Sequence, residues 1–353
     1  METKVFLELL SNGKGISGYE YPLQSTIISA FEEHLDDVSV DKLGNVIGVK
    51  KGTYKDKENN IKIMLAAHMD EIGLMVKDIE ENGFIRFTNI GGIDPRTILG
   101  QEVIVHGVED LFGVIGSKPP HLQDASEQNK AIKMEDMTID IGYPKEKVEE
   151  LVSIGDPITI RRNVKDLLGK RIAGKALDDR AGVAALYECM KELEKIHHEA
   201  DIYFVTTVQE EVSMAGALVS SYSINPDIGI AIDVGFGATP ELPKSSTIEL
   251  GKGPGITLGG NIHPNLRKKL VSIAKEYNIP NQVEISPGPT GTDARAMQIT
   301  RDGIPSLLLS IPLRYMHTSV ELLDMDDICN TGKLLAFFIA SISNENLEGL
   351  LCY

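Results

Sequence analysis

The chain has 353 residues, of which 42% are hydrophobic and 25% are charged. This composition is typical of a globular protein and excludes a disordered, fibrous or low-complexity chain. The chain has 35 lysines and arginines against 52 aspartates and glutamates. The resulting net charge of −17 repels phosphate backbones, so we expect no nucleic acid partner.

The sequence has no recognisable targeting or membrane segment. Its longest apolar runs fall far short of the roughly 18 residues that span a bilayer. The N-terminal stretch METKVFLELLSNGKG lacks the pattern of a signal peptide. The three cysteines, Cys189, Cys329 and Cys352, show no CxxC spacing and cannot all pair with one another. We therefore expect reduced thiols, a cytoplasmic location and no contact with a membrane.

The first 70 residues predict two helices and two strands. The helices are predicted over residues 4–10 and 26–35, and the strands over residues 45–49 and 61–67. The second strand, IKIMLAA, is continuously apolar, which is typical of a strand that is buried on both faces.

Between residues 71 and 163 the pattern changes to short strands separated by turns. One helix is predicted among them, over residues 145–151, and the strands are GLMVKDI, GFIRFTNI, EVIVHG, LFGVIGS, MTIDIG and PITIRR. Many short strands with regular turn signals indicate a small β-rich unit such as a barrel. We predict that residues 71–163 form an inserted domain, and that residues 1–70 and 164–353 together form the domain that carries it.

The rest of the chain alternates strands and helices. The predicted strands cover residues 202–208, 228–234 and 305–311, and the predicted helices cover residues 179–194, 215–222, 264–277 and 325–341. This alternation indicates a mostly parallel sheet with helices on both faces. The predicted fold class is therefore α/β, with a mostly parallel sheet flanked by helices and an inserted, small β-barrel-like domain.

Candidate metal ligands follow several of the predicted buried strands. In open α/β sheets, ligands bind just beyond the carboxyl ends of the strands, so side chains placed there converge on one edge. The ligand-type residues that follow these strands, or that precede the long helix, are His68, Asp70, Asp178, Glu210, Glu211, Asp233 and His317. Two histidines with at least three carboxylates suit a pair of Zn²⁺, Co²⁺ or Mn²⁺ ions.

Each of these residues, taken alone, also has an ordinary structural interpretation. Asp178 and Asp179 are suited to capping the helix that follows, and Asp233 is suited to a turn. A single histidine is more often an ordinary polar residue than a metal ligand. The pair Glu210 and Glu211, however, ends an apolar strand, where an uncompensated charge is expensive. The metal hypothesis therefore rests on the occurrence of all these residues at one sheet edge.

The order of these residues resembles that of the co-catalytic zinc exopeptidases. The match is closest to the tetrahedral aminopeptidases, also called the glutamyl or deblocking aminopeptidases. The matching pieces are AAHMDEIG, GKALDDRAG, TVQEEVSMAGA, AIDVG, PTGTDA and RYMHT. They extend over essentially the whole chain, and the inserted β unit stands where this family has one. The resemblance implies a metal-dependent aminopeptidase that removes N-terminal residues from short peptides.

The resemblance further implies two metal ions per chain, Zn²⁺ or Co²⁺ with Mn²⁺ as a third choice. Asp178 would be shared by both ions. His68 and Asp233 would complete one ligand set, and Glu211 and His317 would complete the other.

The resemblance implies catalytic roles for two more carboxylates. Glu210 would be the general base, and Asp70 would orient the ring of His68. The peptide bond between Asp178 and Asp179 would be cis. The inserted domain would form a dimer, and the dimers would assemble into a hollow tetrahedral dodecamer that admits short or unfolded peptides.

Three alternatives stay open at this point. The first is a related two-metal amidohydrolase for N-acyl amino acids, or a carboxypeptidase, although the β-rich insertion argues against both. The second is an endoglucanase-type glycosidase, which needs two carboxylates on either side of the sugar bond. Glu210 and Glu211 at the end of one strand would instead point to opposite faces. The third is a non-enzymatic, metal-dependent shell protein, which gives Glu210 no task.

Overall fold

A mixed β-sheet forms the centre of the computed structural model, which describes residues 1–54, 60–123 and 130–352. From one edge to the other, its strands are β1 (Asp37–Val40), β2 (Val46–Lys50), β12 (Asp201–Thr207), β3 (Lys62–His68), β13 (Ile228–Phe236), β16 (Ser306–Leu313), β14 (Gly255–Gly259) and β15 (Gln282–Ser286). The central strands β12, β3, β13 and β16 run parallel to one another. On one side of these strands β2 pairs antiparallel with β12, and on the other side β14 pairs antiparallel with β16. The predicted α/β class is confirmed.

The central strands are apolar because both of their faces are covered. Residues of β13 are buried from Ile228 to Gly235, and every residue of β16 is buried. Continuous runs of this kind are expected when helices pack on both sides of a parallel sheet. The described helices are α1 (Thr3–Asn12), α2 (Tyr21–Glu32), α3 (Pro95–Ile98), α4 (Lys145–Leu151), α5 (Leu177–Leu193), α6 (Glu210–Ser213), α7 (Ala215–Ile224), α8 (Pro264–Glu276), α9 (Asp293–Gln298), α10 (Met325–Ala340) and α11 (Leu347–Leu351).

The long helix α5 lies against β3 and β13 and also contacts α1 and α10. Helices α7 and α9 pack against each other and against strands of the same sheet. The apolar side chains of these helices and strands form the larger hydrophobic core.

A closed antiparallel barrel is inserted after β3. Around the barrel its strands are β4 (Gly73–Ile79), β5 (Ile85–Ile90), β8 (Met137–Asp140), β7 (Asp110–Ser117), β6 (Glu102–His106) and β9 (Pro157–Ile160). The barrel has its own hydrophobic core, which includes Leu74, Ile115 and Ile158. The small β-barrel-like unit predicted from the sequence is present, whereas the boundaries drawn at residues 70 and 164 remain a prediction.

Several short elements were not predicted. The strands β14 and β15 extend one edge of the large sheet. A small antiparallel sheet is formed by β10 (Lys165–Asp166), β11 (Arg171–Gly174) and β17 (Glu321–Asp324). These strands have two to five residues each, which is too few for a period to be recognised in the sequence.

None of the helices in the described part of the chain combines the length and the apolar character that crossing a bilayer requires. The cytoplasmic location remains a prediction.

Candidate metal centre

The seven candidate residues lie together at the carboxyl edge of the central parallel strands. His68 is the last residue of β3, and Asp233 lies near the carboxyl end of β13. Asp178 stands in the first turn of α5, and His317 lies in the loop between β16 and β17. Parallel strands bring their carboxyl ends to one edge, which is why residues far apart in sequence meet here.

The first group of potential ligands consists of His68, Asp178 and Asp233. One ligand atom from each lies within 4.8 Å of the others. His68 Nε2 is 3.2 Å from Asp178 Oδ1. All three side chains are buried, so little of their surface is exposed to water.

The second group consists of Asp178, Glu211 and His317, again with one ligand atom from each within 4.8 Å of the others. His317 Nε2 is 3.3 Å from Asp178 Oδ2 and 3.4 Å from Glu211 Oε1. Asp178 thus belongs to both groups and directs a different oxygen at each histidine. The structure brings together all five residues predicted as ligands, in the two predicted sets; their coordination of metal remains a prediction.

The backbone around Asp178 departs from ordinary helical geometry. Ala176 has a left-handed conformation with φ of 54°, and the peptide bond between Asp178 and Asp179 is cis, as the resemblance implies. Asp179 Oδ1 accepts a hydrogen bond from Gly182 N at 3.0 Å, which is a helix-capping contact. The two neighbouring aspartates therefore have different surroundings: Asp178 faces the candidate ligands and Asp179 faces its own helix.

Glu321 holds two of the ligand-bearing segments in place. Its Oε1 accepts a hydrogen bond from His317 N at 2.9 Å, and its Oε2 accepts from Leu177 N at 2.7 Å and from Asp178 N at 3.1 Å. The carboxylate is buried at the start of β17. A single side chain thus links the loop of His317 to the turn of Asp178.

The imidazole of His317 is oriented by the inserted segment. Its Nδ1 lies 2.8 Å from the carbonyl oxygen of Gly92, which lies between β5 and α3. Because a carbonyl can only accept, Nδ1 carries the hydrogen and Nε2 presents its lone pair to Asp178 and Glu211 when the ring is neutral. A Cβ at Gly92 would lie 2.9 Å from this nitrogen, so only glycine allows the approach.

Asp70 contacts the ring of His68 but also fixes the next candidate segment. Its Oδ1 is 3.5 Å from His68 Nδ1. Its two carboxylate oxygens accept hydrogen bonds from the backbone N–H groups of Glu210 and Glu211, at 3.1 and 3.2 Å. Orientation of the His68 ring remains a prediction, and Asp70 also anchors the first turn of α6.

The expectation that Glu210 and Glu211 end a strand was wrong. The strand β12 ends at Thr207, Gln209 takes a left-handed conformation with φ of 59°, and Glu210 begins the short helix α6. Successive residues of a helix are about 100° apart instead of alternating between faces. Because of this turn, the two side chains point to different histidines. Glu211 Oε1 lies 3.4 Å from His317 Nε2, and Glu210 Oε2 lies 3.9 Å from His68 Nε2.

Burial and mutual repulsion shift the pKa values of these carboxylates. Burial, together with the nearby charges of Asp233 and Asp293, raises the pKa of Glu210 to about 10. Burial and the charge of Asp178 raise the pKa of Glu211 to about 7. Glu210 Oε1 is buried without a hydrogen-bond partner among the described residues. A nearby positive charge would favour the ionised forms and relieve this repulsion.

The pKa shifts of His317 and of the shared Asp178 instead favour the charged forms of both groups. The hydrogen bond to Asp178 raises the pKa of His317 to about 9, against the effect of burial. Burial alone would raise the pKa of Asp178, but hydrogen bonds from His317 and His68 hold it well below its usual range. The histidines therefore carry the compensating positive charge while no metal ion is bound.

A cavity of about 920 Å³ opens beside these groups. His68, Asp178, Glu210, Asp233 and His317 form part of its wall. The rest of the wall comes mainly from α6, α9, β15 and their adjoining loops. Concave sites of roughly 300–1,000 Å³ accommodate small ligands, so the cavity has room for the end of a peptide.

Three supporting features of the site were missed from the sequence. Glu321 and Gly92 act through the contacts described above, and Asp293 accepts a hydrogen bond from Thr207 Oγ1 at 2.5 Å. The signal for Asp293 was available, because it lies in the PTGTDA piece of the resemblance. Neither Glu321 nor Gly92 lies in a matched motif, and nothing in their local sequence marks them as supports.

The sequence profile of the family described as "M42 glutamyl aminopeptidase" matches residues 44–334. The chain belongs to this family. It is an aminopeptidase, a hydrolase that acts on the peptide bond of an N-terminal residue, and this confirms the predicted activity. The amidohydrolase, glycosidase and shell-protein alternatives are not favoured.

Individual relatives cover nearly the full chain. A lysyl aminopeptidase of Pyrococcus furiosus is 43% identical over 325 residues, which are 91% of this chain and 92% of the relative. Among solved structures, the TET aminopeptidase of the archaeon Thaumarchaeota archaeon SCGC AB-539-E09 has a TM-score of 0.92 at 32% identity, covering 99% of each chain.

Another structural relative is the Pyrococcus horikoshii TET1 peptidase. It has a TM-score of 0.84 at 35% identity, covers 97% of this chain and 100% of its own, and is described as able to assemble into a tetrahedron or a large octahedral shell. The predicted resemblance to the tetrahedral aminopeptidases is therefore confirmed.

The shifted pKa values predict that divalent metal ions bind with release of protons. Glu211 with a pKa of about 7 and His317 with a pKa of about 9 must both lose protons before they can coordinate an ion. The affinity for Zn²⁺ should therefore rise as the pH increases through about 7 and on to about 9. Calorimetric titration in buffers of different ionisation enthalpy measures the released protons. A binding enthalpy that is independent of the buffer, with an affinity independent of pH, would contradict the prediction.

Proposed function

We propose that this aminopeptidase works through two divalent metal ions held by the paired ligand groups. His68, Asp178 and Asp233 form one site, and Asp178, Glu211 and His317 form the other. The observation that carries the proposal is the position of Asp178, whose two oxygens lie 3.2 Å from His68 Nε2 and 3.3 Å from His317 Nε2. A carboxylate directed at two histidines in this way is suited to bridge two cations.

The donor atoms fit Zn²⁺, Co²⁺ or Mn²⁺. Each group offers one imidazole nitrogen and two carboxylates, and no thiolate takes part. Neutral imidazole suits Zn²⁺ and its neighbours in the first transition row, and carboxylate also suits Mn²⁺. When bound, such ions would polarise the scissile carbonyl and lower the pKa of a water molecule.

Glu210 is the proposed general base. Its carboxylate is nine-tenths buried at the edge of the two groups, and Oε1 has no hydrogen-bond partner among the described residues. An unoccupied, buried carboxylate oxygen can accept a proton from the attacking water and later return it to the amine that leaves. The raised pKa of Glu210 supports this role, because burial and the neighbouring carboxylates favour its protonated form.

Other residues of the chain keep these groups aligned. Asp70 holds Glu210 and Glu211 through their backbone N–H groups. Glu321 holds Asp178 and His317 in the same manner. Supports of this kind around metal ligands fix their orientation and basicity, so we assign both carboxylates a positioning role.

The proposed substrates are peptides with a free N-terminus, bound in the cavity beside the metal centre. The curated relatives do not agree on the residue removed: one is named a lysyl aminopeptidase and another, from Lactococcus lactis at 28% identity, a glutamyl aminopeptidase. Family membership thus leaves the N-terminal preference open, and side chains of the cavity wall must determine it.

We also propose that the chain assembles with copies of itself, first as dimers through residues 71–163 and then as a dodecamer. Two kinds of observation support this. A structure of the related Pyrococcus horikoshii TET1 peptidase is described as a dodecamer, at 35% identity and a TM-score of 0.83. In this chain, the inserted barrel has its own core and exposes the apolar side chains of Val108, Phe112 and Val114.

Substitution of the two adjacent glutamates separates proton transfer from metal binding. Glu210→Gln keeps the size of the side chain but cannot accept a proton, so kcat should fall roughly 10²–10⁴-fold while both ions stay bound. Glu211→Gln should weaken one metal site first, and excess metal should partly restore its activity. Turnover of an aminoacyl anilide and metal content by elemental analysis are measured side by side.

Glu276→Gln, on the exposed surface of α8, is a matched control that should retain wild-type turnover and metal content. The assignment fails if Glu210→Gln remains nearly fully active, or if loss of metal explains its inactivity. If only Glu210→Gln loses metal, the two roles must be exchanged.

Self-assembly is tested on the metal-loaded protein. Multi-angle light scattering should give a mass about twelve times the chain mass of 38.6 kDa. Cross-linking of mixed, isotopically light and heavy chains should then find contacts between copies within residues 71–163. A monomer at all concentrations would contradict assembly, and cross-links that avoid residues 71–163 would contradict the proposed dimer.

A further inference from the structure

One carboxylate of the cavity wall lies outside the metal centre. Glu284 is a half-buried residue of the edge strand β15. Its Oε2 accepts hydrogen bonds from Thr257 Oγ1 at 2.8 Å and from Ser310 Oγ. Two hydroxyl donors on two neighbouring strands therefore hold one oxygen in place and orient the whole carboxylate.

Ser310 places this carboxylate close to the metal centre. In the parallel pair of β13 and β16, Ser310 is the register partner of Asp233. Register partners in a sheet lie about 4.8 Å apart in the hydrogen-bonding direction and point to the same face. Glu284 is therefore hydrogen-bonded to a residue that lies directly beside Asp233, a proposed metal ligand.

The other oxygen of Glu284 is not engaged by any of the residues that the structure describes. Within the described residues, Oε1 accepts no hydrogen bond, and no lysine, arginine or histidine nitrogen lies within 4 Å of the carboxylate. This oxygen occupies space that a side chain on β13 would fill, since a Cβ at Gly235 would lie 2.7 Å from it. A Cβ at Gly255 would likewise lie 3.1 Å from the Glu284 Cβ. Two glycines thus make room for a negative charge at the wall of the cavity.

An apolar side chain lies beside this charge. Ile248 Cδ1 is 3.0 Å from the same hypothetical Cβ at Gly235, and Ile248 also lines the cavity. An apolar wall that ends at a carboxylate is complementary to a lysine or arginine side chain, whose methylene stem is apolar and whose end is cationic.

The wall of the cavity also includes an arginine that does not compensate Glu284. Arg295 is exposed on α9 and lines the same cavity. Within the described part of the chain, no ion pair joins it to Glu284 or to another carboxylate. The charge of Glu284 is therefore available to a ligand.

We propose that Glu284 determines the specificity of the aminopeptidase by binding the cationic side chain of an N-terminal lysine or arginine. The inference rests on the proposed function, because it places the first residue of the peptide between the metal centre and β15. Charge pairing within a partly dehydrated cavity discriminates against neutral and acidic side chains.

The test compares metal-loaded wild type and Glu284→Gln on the anilides of Lys, Arg, Leu and Glu. Wild type should prefer Lys and Arg. In Glu284→Gln, which keeps an oxygen for Thr257 and Ser310, kcat/KM for Lys and Arg should fall at least about tenfold. The value for Leu should remain within about threefold of wild type, which also shows that the variant is folded and loaded with metal.

Two control variants accompany the test. Glu276→Gln removes an exposed carboxylate that does not line the cavity and should leave all four kcat/KM values unchanged. Arg295→Gln removes the guanidinium group from the cavity wall, and this variant should keep the preference for the Lys anilide over the Leu anilide.

Several results would overturn the inference. The inference is wrong if Glu284→Gln leaves unchanged the ratio of kcat/KM for the Lys anilide to kcat/KM for the Leu anilide. It is also wrong if the wild type prefers the Glu anilide. An equal loss for all four anilides would indicate that Glu284 binds the α-amino group instead of the side chain. If the wild-type protein hydrolyses none of the four anilides, the proposed function itself is overturned. This result is distinct from an unchanged preference among the anilides, which overturns only the inference about Glu284.

Discussion

Repulsion between buried carboxylates dominates this structure. Asp178, Glu210, Glu211 and Asp233 converge at the carboxyl edge of the central sheet, where burial limits how far water can screen them. Burial of several like charges is costly unless cations compensate them. Two histidines supply part of that compensation in the metal-free chain, and divalent ions would supply the rest. The arrangement is therefore suited to hold metal ions in its electrostatics as well as in its residue types.

The inserted barrel and the α/β domain are joined at this same centre. Gly92, from the inserted segment, accepts a hydrogen bond from the ring of His317. At the start of the insertion, Glu71 forms buried ion pairs with Lys175 at 2.7 Å and with Arg180 at 3.0 Å. Burial alone would raise the pKa of Glu71, but these two cations hold it below its ordinary value. The position of the barrel is therefore coupled to the geometry of the proposed ligands.

Much of this arrangement could be predicted because the buried strands are apolar and end in ligand-type residues. IKIMLAAH shows both features, and its final His68 lies where the pattern placed it. The turn at Gln209 could not be predicted, since a left-handed residue other than glycine has no local signal. The sequence therefore places Glu210 at the end of a strand instead of at the start of a helix. Glu321 and Glu284 act through contacts between distant segments, which a single sequence does not show.

The central claim is that Asp178 is shared by two ions, and the metal content of the protein tests it most directly. Elemental analysis by mass spectrometry, on wild type and Asp178→Asn reconstituted in the same metal buffer, gives the number of ions per chain. The account predicts two ions in wild type and a loss of both, or at least of the weaker, in Asp178→Asn. Wild-type protein that never binds more than one ion per chain would contradict it.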